Sequence, residues 1–293
     1  MARREVKGDD LLYRFFNEVL PREPELFKRI PRLLVLSMSV WFPKSVYTAM
    51  PVILPWVVRD PTCRGKRAKG VLVSPDAWAS PNSDGYLRDD NSLVKGIPKS
   101  LRIESSMYTY LNGTHLGSEF VASHIWRENK TGILASRIPN LNTFVPNLVW
   151  LPSQVAKLSD REDGAVQTAL KEISWSLYRD QSLEGTAKVI AEEAWGMLPQ
   201  PENIQETLDK EVNYFVSTPL FLKTRKSKLR AVVETLEELA DGGIAPPMLR
   251  PTRYRTGLGK VESGKRDVLL EDLRVHLGDV GSAGFRVEID RPK

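Results

Sequence analysis

Cysteine and histidine are scarce in this chain of 293 residues, which contains one cysteine and three histidines. Cys63 has no second cysteine with which to form an internal disulfide, and we expect it to be a structural thiol. A closed structural zinc site needs four Cys or His ligands held together. One cysteine with three scattered histidines, His115, His124 and His276, excludes such a site.

Long apolar runs are also missing. The longest run covers residues 33–42, far below the ~20 residues that a membrane-spanning helix requires. Residues 1–4 lead into charged sequence, whereas a signal peptide continues into an apolar segment. These features predict a soluble, cytoplasmic protein with no membrane partner.

The common signatures of nucleotide and ester chemistry are absent from the sequence. It has no Walker A loop, no dinucleotide-binding glycine pattern, no Gly-x-Ser-x-Gly elbow and no His-Glu-x-x-His. The sequence therefore gives no support to nucleotide cofactor chemistry or serine hydrolysis.

Positive charge is plentiful and uneven, with a net charge of +5 and three basic clusters at residues 59–70, 223–230 and 248–266. The second cluster contains no acid and enters a predicted helix, so it is the best candidate for phosphate contacts. In the third cluster, Tyr254 lies between Arg253 and Arg255 and could stack on a base. Solvated surface is the alternative interpretation. The candidate residues for binding double-stranded DNA are Arg88, Asn91, Lys223, Arg225, Lys226, Lys228, Arg230, Arg253 and Arg255.

The pattern of the chain predicts an α+β protein in three regions, which could also form one compact domain. Residues 1–116 are rich in proline, with a first helix over 11–20 and strands over 52–58 and 70–73. Residues 117–163 form the central region. Residues 164–293 are helical and basic, with apolar faces at helical spacing over 166–177, 187–194, 204–215 and 229–240, followed by edge strands over 268–275 and 284–289.

The central region contains the most informative pattern. Residues 117–126 alternate as a strand that places His124 on one face with Phe120 and Trp126, and residues 127–132 are polar and end in glycine, as a turn does. After a loop over 133–146, Asn147 opens a second strand, and Pro152 begins a helix over 153–160.

This order of strand, long loop, strand and helix resembles the ββα-metal core of HNH endonucleases over residues 118–163. The resemblance implies a central nuclease core in which His124 accepts a proton from the attacking water, while Asn147 pins the loop and orients the imidazole. It further implies a divalent ion, Mg²⁺ or Mn²⁺, a DNA endonuclease of the restriction type, and a homodimer. The extra length beyond the core favours recognition of a defined sequence.

The metal ligands depart from the family pattern. Ser123 stands directly before His124, where an aspartate or histidine is usual, and Ala156 lies where the helix ligand is expected. Gln154 and Asp160 are the helix residues that could offer an oxygen to Mg²⁺. Lys157 could replace part of the charge of the metal.

Three alternatives remain open from the residues alone. His124 can be a hydrogen-bonded residue at the edge of the core, in a nucleic-acid-binding protein without catalysis. Glu128 and Lys130 supply the Glu-x-Lys of a PD-(D/E)xK nuclease, with Glu119, Asp89 or Asp90 as the further acid. Asp89, Asp90 and Asn91 can instead cap or turn the chain.

Overall fold

Helices and short strands follow each other in an irregular order, which gives an α+β fold. The computed structural model describes residues 8–59, 81–160, 163–243 and 258–278. Within these ranges the α-helices are α1 (Gly8–Arg14), α2 (Pro24–Met38), α3 (Lys44–Ala49), α4 (Ser92–Gly96), α5 (Pro139–Asn142), α6 (Ser153–Ala156), α7 (Ala165–Tyr178), α8 (Gly185–Met197), α9 (Pro219–Ala240) and α10 (Ser263–Leu277). The strands are β1 (Val40–Trp41), β2 (Val57–Arg59), β3 (Leu87–Asp89), β4 (Arg102–Ser105), β5 (Phe120–His124), β6 (Leu148–Pro152) and β7 (Asn213–Val216).

The larger sheet has five strands in the order β4-β7-β1-β6-β5. Its pairs are antiparallel except for β1 and β7, which run parallel. Strand β5 lies at one edge and pairs with β6 in a register that places His124 opposite Leu148. All three regions defined from the sequence contribute strands to this one sheet.

The smaller sheet is a parallel pair of β2 and β3, in which Arg59 lies opposite Asp89. Both strands end at the same edge because they run in the same direction. The residues that follow β3, Asp90 and Asn91, therefore lie at the same edge as Arg59.

A continuous cluster of buried apolar side chains joins the sheet to the helices on either side and extends from Phe16 to Leu273. Strand β6 is buried on both faces, which is why Leu148–Leu151 reads as an unbroken apolar run. Large aromatic rings meet at its centre, where Phe42 contacts Trp150 edge to face with ring centroids 5.2 Å apart. This packing holds β6, the inner strand of the hairpin formed by β5 and β6, in the core.

Several of the predicted elements are confirmed. The chain is helical from Gly8 to Arg22, although a π-helix over Phe15–Val19 and a 3₁₀ turn over Leu20–Arg22 follow α1. The two central strands are present as β5 and β6, and three of the four C-terminal helices as α7, α8 and α9. No helix within the described ranges is long and apolar enough to cross a membrane.

Other predicted elements are wrong. The segment 204–215 contains no α-helix: it is irregular up to a 3₁₀ turn over Asp209–Glu211 and then enters β7, whose backbone pairs with β1 and β4. The segment 268–275 is helical within α10, where Leu269 and Leu273 are buried. The predicted strand over 52–58 is reduced to a single bridge at Val52 and to β2. The predicted helix over 153–160 is only the single turn α6 followed by turns. The predicted strands over 70–73 and 284–289 and residue Cys63 lie outside the described residues.

One glycine holds a tight turn against α10. Gly85 has φ +88°, and a Cβ added there would lie 3.0 Å from Cγ1 of Val261. We expect Gly85→Ala to lower the free energy of unfolding by about 1–3 kcal/mol, because a side chain meets both strain and a clash. Urea unfolding measures this. Gly96→Ala is the control, since nothing lies within 4 Å of its added Cβ, and an equal loss in both variants would contradict the prediction.

Candidate nuclease site

The hairpin of β5 and β6 places the two residues singled out by the sequence at the end from which the connecting loop leaves the strands. His124 is the last residue of β5, and Asn147 directly precedes β6. The amide of Ile125 donates to the carbonyl of Asn147 at 3.0 Å, which continues the ladder past His124. The two residues are therefore held close together by backbone pairing.

Asn147 pins the loop between the strands. It is fully buried; its Oδ1 accepts from the backbone amide of Trp126 at 2.7 Å, and its Nδ2 donates to the carbonyl of Leu141 at 3.0 Å. Both ends of the long connection are tied to one side chain. The function that the resemblance implies for Asn147 in pinning the loop matches these contacts.

A different asparagine contacts the imidazole. Nε2 of His124 donates to the backbone carbonyl of Asn142 at 2.8 Å. Because a carbonyl can only accept, this bond places the proton on Nε2 and leaves the lone pair on Nδ1. The prediction that Asn147 orients the ring needs correction, since the imidazole bonds to Asn142 and the amide of Asn147 bonds to the neighbouring Leu141.

The environment of His124 favours its neutral form. Burial and the nearby charge of Arg59 lower the pKa of His124 to about 4, and the hydrogen bonds with Asn142 oppose this only in part. The ring is half-buried at the wall of a cleft. His124 is therefore neutral across the physiological pH range.

The cleft has a volume of about 980 Å³ and is formed from two sides. The hairpin side comprises Val121–His124 together with Ser153, Ala156, Lys157, Ser159 and Asp160, and the parallel-strand side comprises Arg59, Asp90, Asn91, Ser92 and Lys95. Asn91 joins the sides, because its Nδ2 donates to the carbonyl of Ala122 at 3.4 Å. Among the described residues, the cations that line the cleft are Arg59, Lys95, Arg127 and Lys157, and the acids are Asp90 and Asp160.

The structure brings some of the predicted site residues into this cleft. Lys157, Asp160 and Asn91 line it together with His124. Gln154 does not line it; its Oε1 accepts from Oγ of Ser153 at 3.3 Å, on the exposed side of α6. Asp160 lies in the turns after α6, because that helix ends at Ala156.

The acidic residues after β3 cap the helix that follows. Asp89 is buried, and its carboxylate accepts from Oγ of Ser92 and from the amide of Leu93, each at 2.9 Å. Oδ1 of Asp90 accepts from the amide of Ser92 at 3.2 Å. The capping interpretation of this segment is confirmed. Arg88, one residue earlier in β3, is not among the residues that line the cleft.

Glu128 and Lys130 lie in the turn after β5. Nζ of Lys130 donates to the carbonyl of Gly196 at 2.8 Å, and its backbone amide donates to Met197, so the turn is fastened to the end of α8. Neither residue lines the cleft. Their contacts give no support to a PD-(D/E)xK site.

The basic cluster on α9 divides into two groups. Lys223, Lys226 and Arg230 are exposed at helical spacing on one face. Arg225 lies over the ring of Phe221 at 5.3 Å, its Nε is buried without a hydrogen-bond partner, and burial lowers its pKa. Arg225 therefore packs against its own helix, whereas Lys228 is exposed. Arg253 and Arg255 lie outside the described residues.

Sequence reasoning missed two residues of the site. Asn142 lies in a loop rich in asparagine and proline, and only its contact with His124 distinguishes it. Arg59 belongs to a basic cluster that was predicted to be solvated surface or a phosphate contact, and nothing in the sequence indicates that it lines the same cleft as His124. The two remaining histidines differ from each other: His115 is exposed, whereas His276 is half-buried on α10, and burial lowers its pKa to about 3.

The lowered pKa of His124 predicts a pH dependence of stability. In the unfolded chain His124 binds a proton below its ordinary pKa of about 6.5, whereas in the folded protein it does so only near 4. As the pH falls from 6.5 to 4, the unfolded state gains protons first, so folding should weaken by about 1–3 kcal/mol through this residue.

Urea unfolding of the protein and of His124→Gln between pH 4 and 7.5 measures the contribution. The difference between them should change across that window and be constant above it. His276→Gln, compared in the same way, separates the contribution of His276. A difference between the protein and His124→Gln that does not vary with pH would contradict the lowered pKa.

In the described part of the chain, metal-binding side chains do not gather into a ready-made site. Within the described ranges, no three His, Cys, Asp or Glu side chains come together in a group that could hold an ion. Mg²⁺ often keeps several waters and binds through one or two carboxylates plus the phosphates of a substrate. Asp160 and Asp90 on the two sides of the cleft fit that weaker mode of binding.

Comparison with known proteins adds no assignment: no family model, no curated protein and no solved structure matches this chain.

Proposed function

We propose that this protein is a metal-dependent DNA endonuclease that hydrolyses phosphodiester bonds in the cleft beside His124. The observation that carries the proposal is the hydrogen bond from Nε2 of His124 to the carbonyl of Asn142, which leaves Nδ1 as the acceptor at the wall of a cation-lined cleft. The His124 and Asn147 hairpin supports a core of the ββα-metal kind.

In the proposed reaction, Nδ1 of His124 takes a proton from water as the oxygen of that water attacks phosphorus. The bond from phosphorus to the leaving oxygen breaks, and that oxygen keeps the electron pair and is protonated by solvent. The cations Lys157, Lys95 and Arg127 hold the negative backbone in the cleft. Neutral imidazole is the form that this step requires.

The divalent ion is part of the proposal, with Asp160 as its ligand on the hairpin side and Asp90 as a candidate on the other. Mg²⁺ or Mn²⁺ bound there would stabilise negative charge on the phosphate and on the leaving oxygen. Its coordination shell would be completed by water and by the substrate, since Ser123 and Ala156 occupy the usual ligand positions. Gln154 is not proposed as a ligand.

Cleavage of plasmid and phage DNA tests the function. With Mg²⁺ or Mn²⁺ we expect discrete fragments, as for a homodimeric enzyme of the restriction type that recognises a defined sequence, and no fragments with EDTA. Smeared products would contradict the recognition of a defined sequence but not the nuclease activity. Binding without cutting on every DNA tried, including DNA with modified bases, would favour the alternative of a non-catalytic nucleic-acid-binding protein.

The exposed face of α9 is proposed to bind the phosphate backbone through Lys223, Lys226 and Arg230. Replacing all three by alanine should reduce the slope of log K against log salt by about 0.9 for each phosphate that the protein no longer neutralises. Binding to a DNA duplex measured from 50 to 300 mM salt gives the slope.

The control removes the same charge elsewhere, with alanine at Arg22, Lys28 and Arg29, which are exposed around the start of α2. If both triple variants change the slope equally, only net charge matters and the α9 interface is wrong.

A further inference from the structure

A second cavity, of about 210 Å³, lies between α3, the end of α7 and the start of α8. Among the described residues, none that lines the cleft beside His124 also lines this cavity. Its wall is formed by Tyr47, Arg179, Gln181, Ser182, Leu183, Lys188, Ala191, Glu192 and Trp195. The cavity is therefore separate from the candidate nuclease site.

The hydroxyl of Tyr47 has a hydrogen-bond donor to spare at this wall. Tyr47 is buried, and its oxygen accepts from Nε1 of Trp195 at 2.9 Å, so the hydrogen bond joins two side chains that both line the cavity. Within the described ranges the hydrogen of this hydroxyl is donated to no acceptor. Buried hydroxyl groups are normally satisfied. The hydroxyl therefore calls for a further acceptor, which a ligand in the cavity can supply.

This hydroxyl remains a donor at physiological pH. Burial raises the pKa of Tyr47 to about 12, and the hydrogen bond from Trp195 and the charge of Arg179 oppose the rise only in part. At neutral pH the phenol is therefore protonated. The cavity favours a ligand that accepts hydrogen bonds.

The charged side chains give the wall an excess of one positive charge. The guanidinium of Arg179 lies 5.8 Å from the ring centroid of Trp175, and it has no carboxylate partner in the described part of the chain. Nζ of Lys188 lies 3.8 Å from Oε1 of Glu192 on the same helix, and both side chains are well exposed. Such an exposed pair is weak, so Lys188 remains able to contact a ligand. The charge of the wall therefore favours an anion.

We propose that this cavity binds a small oxyanion of the phosphate class, held by the guanidinium of Arg179, the ammonium group of Lys188 and the hydroxyl of Tyr47. Both cations form charge-assisted hydrogen bonds with phosphate oxygens, and the guanidinium can donate to two oxygens at once. The volume is below the ~300–1,000 Å³ of sites for drug-sized ligands, so the cavity fits a phosphate group and not a whole nucleotide. The phosphate is either free in solution or part of a DNA backbone. The proposal does not depend on the nuclease function.

Titration with sodium phosphate at pH 7 and constant ionic strength tests the site. Calorimetry should give a saturable one-site isotherm. The NMR signal of the indole N–H of Trp195 should shift over the same concentrations, because that group donates to the oxygen of Tyr47. Arg179→Ala should weaken phosphate binding about tenfold, as expected for the loss of a hydrogen bond to a charged group. Arg29→Ala, which removes an exposed charge on α2, should bind phosphate normally.

Tyr47→Phe tests the hydroxyl and should also weaken binding about tenfold. This variant leaves Nε1 of Trp195 without its acceptor, so thermal melting checks that it is folded. Arg179→Ala leaves that hydrogen bond in place and decides the question if Tyr47→Phe is unstable.

Binding of a DNA duplex distinguishes the two sources of phosphate. If Arg179→Ala weakens the binding of both inorganic phosphate and the duplex, the cavity holds a phosphate of the backbone. If only the binding of inorganic phosphate is weakened, the ligand is free phosphate. The absence of saturable binding at millimolar phosphate, or equal phosphate affinity in Arg179→Ala and the unaltered protein, overturns the proposal. None of these measurements requires cleavage of DNA, so failure of the nuclease function would leave them unchanged.

Discussion

His124→Ala should abolish DNA cleavage while leaving DNA binding nearly unchanged. A general base contributes about 10²- to 10⁴-fold to a rate, so we expect a loss in this range or larger. The effect should be specific to kcat, because the cations that line the cleft remain in place. Single-turnover cleavage and equilibrium binding to the same duplex measure the two quantities.

His124→Gln controls for the lost hydrogen bond. An amide side chain can still donate to the carbonyl of Asn142 but is a very weak base, so this variant should be as inactive as His124→Ala and closer to the unaltered protein in stability. His115→Gln, at an exposed position, should cut normally. Cleavage by His124→Ala at the normal rate would mean that the histidine is structural.

Asn147→Ala should cause a large loss of stability. It would leave the amide of Trp126 and the carbonyl of Leu141 buried without partners. Each unsatisfied buried group costs about 1–3 kcal/mol, so the free energy of unfolding should fall by about 2–5 kcal/mol. Since a domain is typically stable by only about 5–15 kcal/mol, this variant should melt well below the parent protein.

Urea unfolding at pH 7 measures this loss, and Gln154→Ala serves as the matched control. Gln154 is exposed and its Oε1 accepts a hydrogen bond from the adjacent Ser153, so its removal should change stability by no more than about 0.5 kcal/mol. A stability of Asn147→Ala within that same margin would show that the loop is held by other interactions.

Local patterns predicted the hairpin because its signals are close together in sequence. Alternation up to His124, the turn that ends at Gly132, and the apolar run after Asn147 each depend on near neighbours. The predicted helix over 204–215 was wrong because the interactions that decide its structure are distant in sequence. Its apolar residues do have helical spacing, but its last residues pair with β1 and β4 and form β7. The spacing of side chains carries no information about partner strands that are far away in the sequence.

The residues of the candidate site divide in the same way, into those placed by local structure and those placed by contacts between distant segments. His124, Lys157 and Asp160 were found from their order along the chain, because the hairpin and the turns after it are local. Arg59 and Asn142 could not be found in this way, since Asn142 and Val57 are 85 positions apart and the parallel pairing of β2 with β3 leaves no periodic signature of its own.

The bridge from Asn142 to Val57 has a consequence for newly made chains. Closing a loop of this length is slow compared with forming a local hairpin, so the two sides of the cleft meet late in folding. Because Asn142 and His124 are synthesised well after Arg59, a ribosome-bound chain that ends before residue 142 has no assembled site. If the proposed activity is correct, an incomplete copy of this enzyme would be harmless to the DNA around it.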